Sequence, residues 1–237
     1  MIFYSDKFYF DNIYSADFNI FLVYESKDIL NKYGISYNKE DENEITLSFC
    51  YATEYGTPLK WDDEVLEEVL GWLITDNYKE FISEDSEDVV FFLKGESYEK
   101  RFSHQKMGML DVTFKILSPC GYKKQVVKIQ SNGNPVNIYN PSNIREHYKP
   151  VIELSNISSS TVIISNTSLE KEPFEIKNLS GKDIFIDNLI GTIVDADGKN
   201  LIMDSNRKWI ELKKGDNYIS VEGDCDVTIK SYYPIMV

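Results

Sequence analysis

The chain has 237 residues, of which 42% are hydrophobic, 14% aromatic and 27% charged, so its composition is that of a folded protein and not of a disordered one. Its 25 Lys and Arg against 39 Asp and Glu give a formal net charge of −14. Stable binding to nucleic acid or to an anionic membrane needs a basic surface, so this balance argues against both partners.

The first half of the chain is predicted to be mostly β, with one helix. Segments rich in β-branched and aromatic residues predict strands at 8–10, 18–24 and 45–51. After the helix, strands are predicted at 89–93, 109–117 and 123–129. The turn signal SNGNP at 131–135 then marks a boundary between two domains.

The helix is predicted over residues 63–75. Asp62 or its neighbour can cap the first turn, where acidic side chains are favourable. Val65, Val69 and Trp72 recur at helical spacing and form one apolar stripe. Gly71 lies inside this helix, where it costs about 1 kcal/mol relative to alanine and suits close approach of another backbone.

The second half predicts short strands at the roughly 8–12-residue spacing of an antiparallel β-sandwich. These strands are predicted at 151–154, 161–165, 174–176, 183–187, 192–194, 209–212, 217–221 and 226–232. We therefore predict a mostly β fold with one main helix. Its first domain, 1–132, is an α+β domain, and its second, 133–237, is a β-sandwich.

Negative charge is concentrated early in the chain. The balance is −10 over residues 1–140 and −4 over residues 141–237, and residues 61–88 hold eleven acids with Lys79 as their one basic residue. One interpretation is a solvated helix face with an acidic loop, and the other is a surface that repels a ligand or meets a basic partner. The candidate channel-facing or partner-facing acids are Asp62, Asp63, Glu67, Glu68, Glu84 and Asp85.

The sequence contains no recognisable catalytic or metal-binding motif. His104 and His147 are 43 residues apart, and Cys50, Cys120 and Cys225 are scattered and odd in number. Nucleophile elbows and glycine-rich phosphate loops are absent, and the segment 195–200 lacks the spacing of a calcium loop. We expect no enzyme activity, no metal, no cofactor and no disulfide framework. Without a signal peptide or membrane span, we expect a protein made in a cytoplasm.

Six segments, taken in order, carry a resemblance to a known family. In the first half these are WDDEVLEEVLGWL at 61–73, VVFFLK at 89–94 and MLDVTFKILSPCGY at 109–122. In the second half they are KPVIE at 149–153, DIFID at 183–187 and IELKKGDNYI at 210–219. Together they resemble the distal tail proteins (Dit) of siphophages, and the resemblance covers nearly the whole chain.

The resemblance implies a structural protein of the phage tail tip. Its first domain would form a ring, usually a homohexamer, and its second would be a galectin-like sandwich. The ring would join the major tail tube protein to a tail fibre protein or tail-associated lysin, and would leave a channel for DNA. The protein would be made in the cytoplasm of the host bacterium and would belong to the virion.

Two apolar segments are candidate contacts in such a ring, with core packing as the alternative for each side chain. One is the N-terminal segment and the other is the helix stripe. Their candidate residues are Phe3, Phe8, Phe10, Val65, Val69 and Trp72.

Two other functions stay open. In the first, the sandwich binds cell-surface carbohydrate, with Trp209 and neighbouring tyrosines as stacking platforms. Core packing is the alternative for Trp209, because apolar residues adjoin it. In the second, the protein is a cell-wall hydrolase with a pair of carboxylates, whose spatial separation a sequence does not reveal.

Overall fold

The computed structural model describes residues 5–23, 44–84, 88–118, 120–179 and 181–236. The chain divides into two compact units, Met1–Tyr122 with Met236–Val237 and Lys123–Ile235. This division comes ten residues before the boundary that the turn signal predicts. The reason is the intervening strand, Gly121–Gln130, which pairs within the sandwich of the second unit.

In the described residues, the first unit is an antiparallel sheet of eight strands with one α-helix. The strand order is β1-β4-β5-β8-β7-β6-β2-β3. A 3-10 helix, Ser15–Phe18, precedes β4, so that strand begins at Ile20 and not at Phe18 as predicted. The elements are β1 (Ser5–Asp6), β2 (Phe8–Phe10), β3 (Ile13–Tyr14), β4 (Ile20–Val23), β5 (Glu44–Tyr51), α1 (Asp63–Leu73), β6 (Lys79–Ser83), β7 (Phe91–Phe102) and β8 (Gly108–Ile116).

The N-terminal segment brings the two ends of this sheet together. β1 pairs with β4 near one end of the strand order, and β2 pairs with β6 near the other. Only Lys7 separates β1 from β2, so these two ends are neighbours in space. The sheet is therefore curled, and it encloses aromatic side chains such as Phe8 and Phe10, which are fully buried.

Helix α1 forms where the sequence predicts it and ends two residues earlier. The Asp62 carboxylate accepts a hydrogen bond from the Val65 backbone N–H at 2.9 Å and so caps the first turn. The apolar stripe packs inward, with Val69, Trp72 and Leu73 buried. The helix stops at Leu73 because Ile74 turns to an extended conformation and forms a parallel bridge with Gly95 of β7.

Strands β7 and β8 form a hairpin in which β7 extends well beyond the predicted strand at 89–93, whereas β8 lies within one residue of the predicted strand at 109–117. The added residues of β7 are mostly exposed, so they lack the apolar alternation that identifies a half-buried strand. Their pairing is supported by charge: the Arg101 guanidinium makes two contacts with the Asp111 carboxylate, at 2.5 and 2.6 Å. Lys94 and Lys115 both pair with Glu96.

The second unit is the predicted antiparallel β-sandwich. One sheet has the order β10-β18-β13-β14 and the other β16-β15-β12-β19-β9, while β11 and β17 form a separate pair. The strands are β9 (Gly121–Gln130), β10 (Val136–Asn140), β11 (His147–Tyr148), β12 (Val151–Ser155), β13 (Thr161–Asn166), β14 (Phe174–Lys177), β15 (Ile184–Asp187), β16 (Thr192–Asp195), β17 (Leu212–Lys213), β18 (Gly215–Glu222) and β19 (Asp226–Ile235). A 3-10 helix, Ile202–Asp204, follows β16. The predicted fold class is confirmed.

Strands β10 and β11 have no counterpart among the predicted strands, and one predicted strand differs clearly from the strand that forms. The strand expected at 209–212 is reduced to β17, Leu212–Lys213. The residues before it are held by side chains instead of by a neighbouring strand. The Ile210 backbone N–H donates to Asn188 Oδ1 at 2.9 Å, and Asn166 Nδ2 donates to the Glu211 carbonyl at 2.8 Å. Apolar composition alone does not distinguish this arrangement from a strand.

Candidate interaction surfaces

The outer face of α1 is an exposed row of acids. Asp62, Asp63, Glu67 and Glu68, four of the predicted acids, are exposed, as is Glu64 on the same helix. Lys106 Nζ lies 3.0 Å from Asp63 Oδ1. In the described ranges no cation pairs with Glu64, Glu67 or Glu68. We refer to Asp62, Asp63, Glu64, Glu67 and Glu68 as the acidic helix face.

The remaining two predicted acids do not belong to this face. Glu84 follows β6, and its carboxylate accepts a hydrogen bond from the Tyr14 hydroxyl at 2.5 Å. That hydrogen bond, together with partial burial, raises the pKa of Tyr14. Asp85 lies outside the described residues. Glu84 therefore has a local partner on the sheet.

The two units differ sharply in charge. Residues 1–122 carry 11 Lys and Arg against 24 Asp and Glu, a balance of −13, whereas residues 123–237 carry 14 against 15, a balance of −1. This difference in net charge is larger than the −10 and −4 found when the chain is divided after residue 140. The reason is that Lys123, Lys124 and Lys128 belong to β9 of the second unit. Almost the whole excess of negative charge thus lies in the first unit.

Most of the predicted apolar contact residues are core residues of this chain, which corrects their assignment to a ring surface. Phe8, Phe10 and Val69 are fully buried, and Trp72 is 8% exposed. The Trp72 ring stacks on Phe8 at 5.6 Å between centroids, and its indole N–H donates to the Phe10 carbonyl at 2.9 Å. Val65 is half-buried, and Phe3 lies outside the described residues.

Gly71 lies on the exposed side of α1. Apart from the backbone of its own helix, no atom of the described residues lies within 4 Å of a Cβ atom added there. The close approach of another backbone that the sequence suggested is therefore not made among the described residues. Gly71 follows Glu64, Glu67 and Glu68 at helical spacing, so it extends the acidic helix face by one turn.

Trp209 packs mainly against the core of the second unit. Its ring is half-buried and lies 6.4 Å from the ring of Phe174 with an interplanar angle of 28°. A Cβ atom at Gly191 would lie 3.3 Å from Trp209 Cζ2, so the backbone covers part of the indole. This is the packing alternative that the sequence left open, and it leaves little of the ring as an open platform for a sugar.

One shallow pocket on the second unit has a volume of about 420 Å³. Two of the three carboxylates that line it have partners. The Glu153 carboxylate pairs with Lys230 at 2.6 Å, and the Asp195 carboxylate accepts the backbone N–H groups of Asp197 and Lys199. Phe185 forms an apolar wall.

Metal-ligating residues do not cluster within the part of the chain that the structure describes, since no group of three or more His, Cys, Asp or Glu side chains could hold an ion. Cys50, Cys120 and Cys225 are thiols. None of the described helices has the length and apolar character needed to span a membrane.

Cys225 is expected to make the second unit sensitive to alkaline pH. Burial first, and then the carboxylates of Asp226 and Asp224, raise the pKa of this thiol to about 11. The unfolded chain ionises its thiol at lower pH, so the stabilisation is complete below about pH 8 and is lost as the pH rises towards 11. We expect urea unfolding to show a loss of about 1 kcal/mol between pH 8 and pH 10 that Cys225→Ala does not show.

The matched control for this effect is Cys120→Ala, which removes a half-exposed thiol. That variant is expected to lose stability with pH as the unmodified protein does. Equal pH dependence in Cys225→Ala and Cys120→Ala would contradict the role of the buried thiol.

Comparison with known proteins identifies relatives of both the second unit and the whole fold. Residues 121–232 match the family model of the phage tail C-terminal domain. The SPP1 Dit protein, described as a hub adsorption apparatus of phages that infect Gram-positive bacteria, superposes with a TM-score of 0.55 at 10% identity over 96% of this chain and 98% of that chain. No curated protein sequence matches the chain.

Two structures of the phage P2 baseplate in its activated conformation are also similar. The alignment with the Ca structure covers 78% of this chain and 78% of the matched chain. The alignment with the Sr structure covers 79% of each. Each has 10% identity and a TM-score of 0.47.

Proposed function

Since this chain has the fold of the phage distal tail proteins and carries a phage tail C-terminal domain at 121–232, we propose that it is a structural protein of a phage tail tip. The observation that carries the proposal is the match of the second unit to a phage tail domain. In the finer form of the proposal, six copies form a ring that joins the major tail tube protein to a tail fibre protein or tail-associated lysin. The protein is then part of the virion and has no enzymatic role.

The charge distribution supports a ring with a channel for DNA. Six first units at −13 each would carry −78 formal charges. A channel lined by acids repels the phosphate backbone, so DNA passes through without binding stably. The acidic helix face is the part of the first unit that we assign to this channel, because its carboxylates are exposed and mostly lack cationic partners.

The mass of the protein in solution tests the ring. Light scattering after size-exclusion chromatography should detect a species near 165 kDa, six times the chain mass of 27.5 kDa. Moderate salt should favour it, because screening weakens repulsion between chains of charge −14. A monomer at low and moderate salt, both alone and with the tail tube protein, would contradict the ring.

A charge-reversal pair tests the channel separately from the ring. We expect the double variant Glu67→Lys, Glu68→Lys to retain double-stranded DNA at low salt. The matched control, Glu170→Lys with Glu222→Lys, makes the same change in net charge on exposed acids of the second unit and should not retain it. Equal DNA retention by both variants would contradict the assignment of the acidic helix face to the channel.

A further inference from the structure

Two exposed tyrosines lie on neighbouring strands of the outer face of the sandwich. Tyr139 of β10 is 56% exposed and Tyr218 of β18 is 48% exposed. The residues that alternate with them, among them Ile138 and Ile219, point into the core and are fully buried. Both tyrosine rings therefore belong to the solvent side of the four-stranded sheet.

The register of β10 and β18 places the two tyrosine rings on either side of a polar pair, Asn137 and Asp216. Asn137 is opposite Tyr218, and Tyr139 is opposite Asp216. Along one diagonal of this square, Asn137 Nδ2 donates to Asp216 Oδ1 at 2.9 Å. The two tyrosines occupy the other diagonal, so that one aromatic ring stands on each side of the amide–carboxylate pair. Diagonal neighbours on a sheet are about 7–8 Å apart, within reach of aromatic side chains.

The backbone of Tyr218 is hydrogen-bonded to the two residues that follow β13, the neighbouring strand. Its N–H donates to Ser168 Oγ at 2.9 Å, and its carbonyl accepts from the Thr167 backbone N–H at 2.9 Å and from Thr167 Oγ1 at 3.2 Å. A site built on fixed backbone loses little conformational freedom when a ligand binds. We call Asn137, Tyr139, Thr167, Asp216 and Tyr218 the tyrosine platform.

The platform keeps unused hydrogen-bonding capacity. The hydroxyls of Tyr139 and Tyr218 have no hydrogen-bond partner among the residues that the structure describes. Beyond their mutual hydrogen bond, the side chains of Asn137 and Asp216 also make none within those ranges. An amide oxygen, an amide N–H and a second carboxylate oxygen thus remain available between the two rings.

We propose that the tyrosine platform binds a neutral oligosaccharide chain of pyranose units. A pyranose ring presents an apolar C–H face that packs on an aromatic ring and a rim of hydroxyls that donate and accept hydrogen bonds. The tyrosine platform has aromatic rings for the apolar face and, between them, the hydrogen-bonding groups of Asn137 and Asp216 for the hydroxyls. Asp216 is its one charged group and is negative, so the platform favours a neutral, hydroxyl-rich ligand over an anionic polymer.

The open shape of the platform favours the interior of a chain over a chain end. Its members lie on the exposed face of a sheet, and two tyrosines separated by a polar pair can contact successive sugar units. A protein partner fits less well, because the centre of a protein interface is depleted of charged residues, and here an amide and a carboxylate occupy the centre. The platform also differs from Trp209, which packs in the core.

Binding to a panel of neutral saccharides tests the proposal on the full chain. We would titrate glucose, N-acetylglucosamine, galactose and rhamnose as monosaccharides and as hexasaccharides, with the isolated neutral wall polysaccharide of a Gram-positive bacterium as a further probe. Affinity should rise with chain length. Tyr139→Ala and Tyr218→Ala should each lower it about tenfold, as expected for an exposed aromatic contact worth about 1.4 kcal/mol.

The matched control is Tyr55→Ala, which removes a tyrosine that is 90% exposed in the first unit. It should leave saccharide binding unchanged, and all three variants should keep the unfolding midpoint of the parent. Absence of binding to every probe would overturn the proposal, as would binding that Tyr139→Ala and Tyr218→Ala leave unchanged. Loss of the oligomer in these variants without saccharide binding would identify the platform as a protein contact and overturn the proposal. The mass measurement on the unmodified protein tests the ring independently.

Discussion

Gly95→Ala is expected to destabilise the first unit by about 3 kcal/mol or more. Gly95 is a buried residue of β7, beside a register shift in the β7–β8 hairpin. A Cβ atom there would lie 2.1 Å from the Leu73 carbonyl oxygen and 3.0 Å from the Leu73 carbonyl carbon. Both are backbone atoms at the end of α1, so no side-chain rotation relieves the clash.

The same contact joins the helix to the sheet, which makes the expected effect large. Ile74 bridges Gly95, and the Thr75 N–H donates to the Gly95 carbonyl at 3.3 Å. Relief of the clash requires α1 to move, and that movement disturbs the packing of Trp72 against Phe8. Overpacking a core by a methyl group costs about 1–3 kcal/mol when side chains adjust, and here backbone must adjust. A domain of total stability about 5–15 kcal/mol tolerates this poorly.

Gly71→Ala is the matched control, because it makes the same chemical change on the exposed side of α1. Because no described atom outside the helix's own backbone lies within 4 Å of the added methyl group, the variant should gain about 0.5–1 kcal/mol from helix propensity. Urea unfolding of both variants can be followed by fluorescence in a Trp209→Phe background, where Trp61 and Trp72 report on the first unit. Stability of Gly95→Ala equal to that of its parent would contradict the backbone contact.

Asn217→Ala is expected to cost the second unit about 3–5 kcal/mol. This side chain is fully buried at the start of β18 and closes the turn that leads from β17. Its Oδ1 accepts from the Lys213 N–H and from Asn166 Nδ2, both at 2.9 Å. Its Nδ2 faces the carbonyls of Lys213, Gly215 and Ile138 at 2.8–3.3 Å.

The expected cost arises from the partners that the substitution would leave behind. Each buried polar group without a hydrogen bond costs about 1–3 kcal/mol, and alanine supplies neither donor nor acceptor. Asn166 would lose one contact as well, which links this turn to β13. A network of this kind is worth more than the sum of single hydrogen bonds.

Asn134→Ala is the matched control, because Asn134 is exposed in the turn before β10. It should change stability by less than about 0.5 kcal/mol. Hydrogen exchange of peptides from β13 and β18 measures the opening of the second unit in both variants. Exchange in Asn217→Ala as slow as in Asn134→Ala would contradict the structural role of this buried amide.

Local patterns predicted most of the longer elements whose side chains alternate between core and solvent, although β6 and β10, which also show such alternation, were not predicted. The stripe of Val69 and Trp72 predicted α1, and alternation in the second half predicted most strands of the sandwich to within a few residues. The exposed arm of β7 and the short β17 were not predicted correctly, because neither shows that alternation. Strand β9 was predicted, but which strand it pairs with was not. Because β9 pairs within the sandwich, the boundary between the two units lies near the start of this strand and not after its end, where it was predicted.

The candidate surfaces show the same limit more clearly. The sequence identified the acids of α1 as exposed, because charge is costly to bury whatever the fold. It could not decide whether Phe8 and Phe10 pack in the core of the chain or contact another copy in a ring, because both roles need apolar side chains. The tyrosine platform was also out of reach, since Tyr139 and Tyr218 are 79 residues apart and only strand register makes them neighbours.

The sequence by itself determined the fold class, helix α1 and its polar face, the negative charge and the resemblance to distal tail proteins. These properties depend on composition and on periodicity within short segments, which the chain carries locally. Only the tertiary structure decided how β1 and β2 close the first sheet and how the net charge divides into −13 on the first unit and −1 on the second. It also decided the contact of Gly95 with the end of α1, the hydrogen bonds of Asn217 and the tyrosine platform. Each of these depends on which distant segments pair, and pairing is fixed by packing of the whole unit.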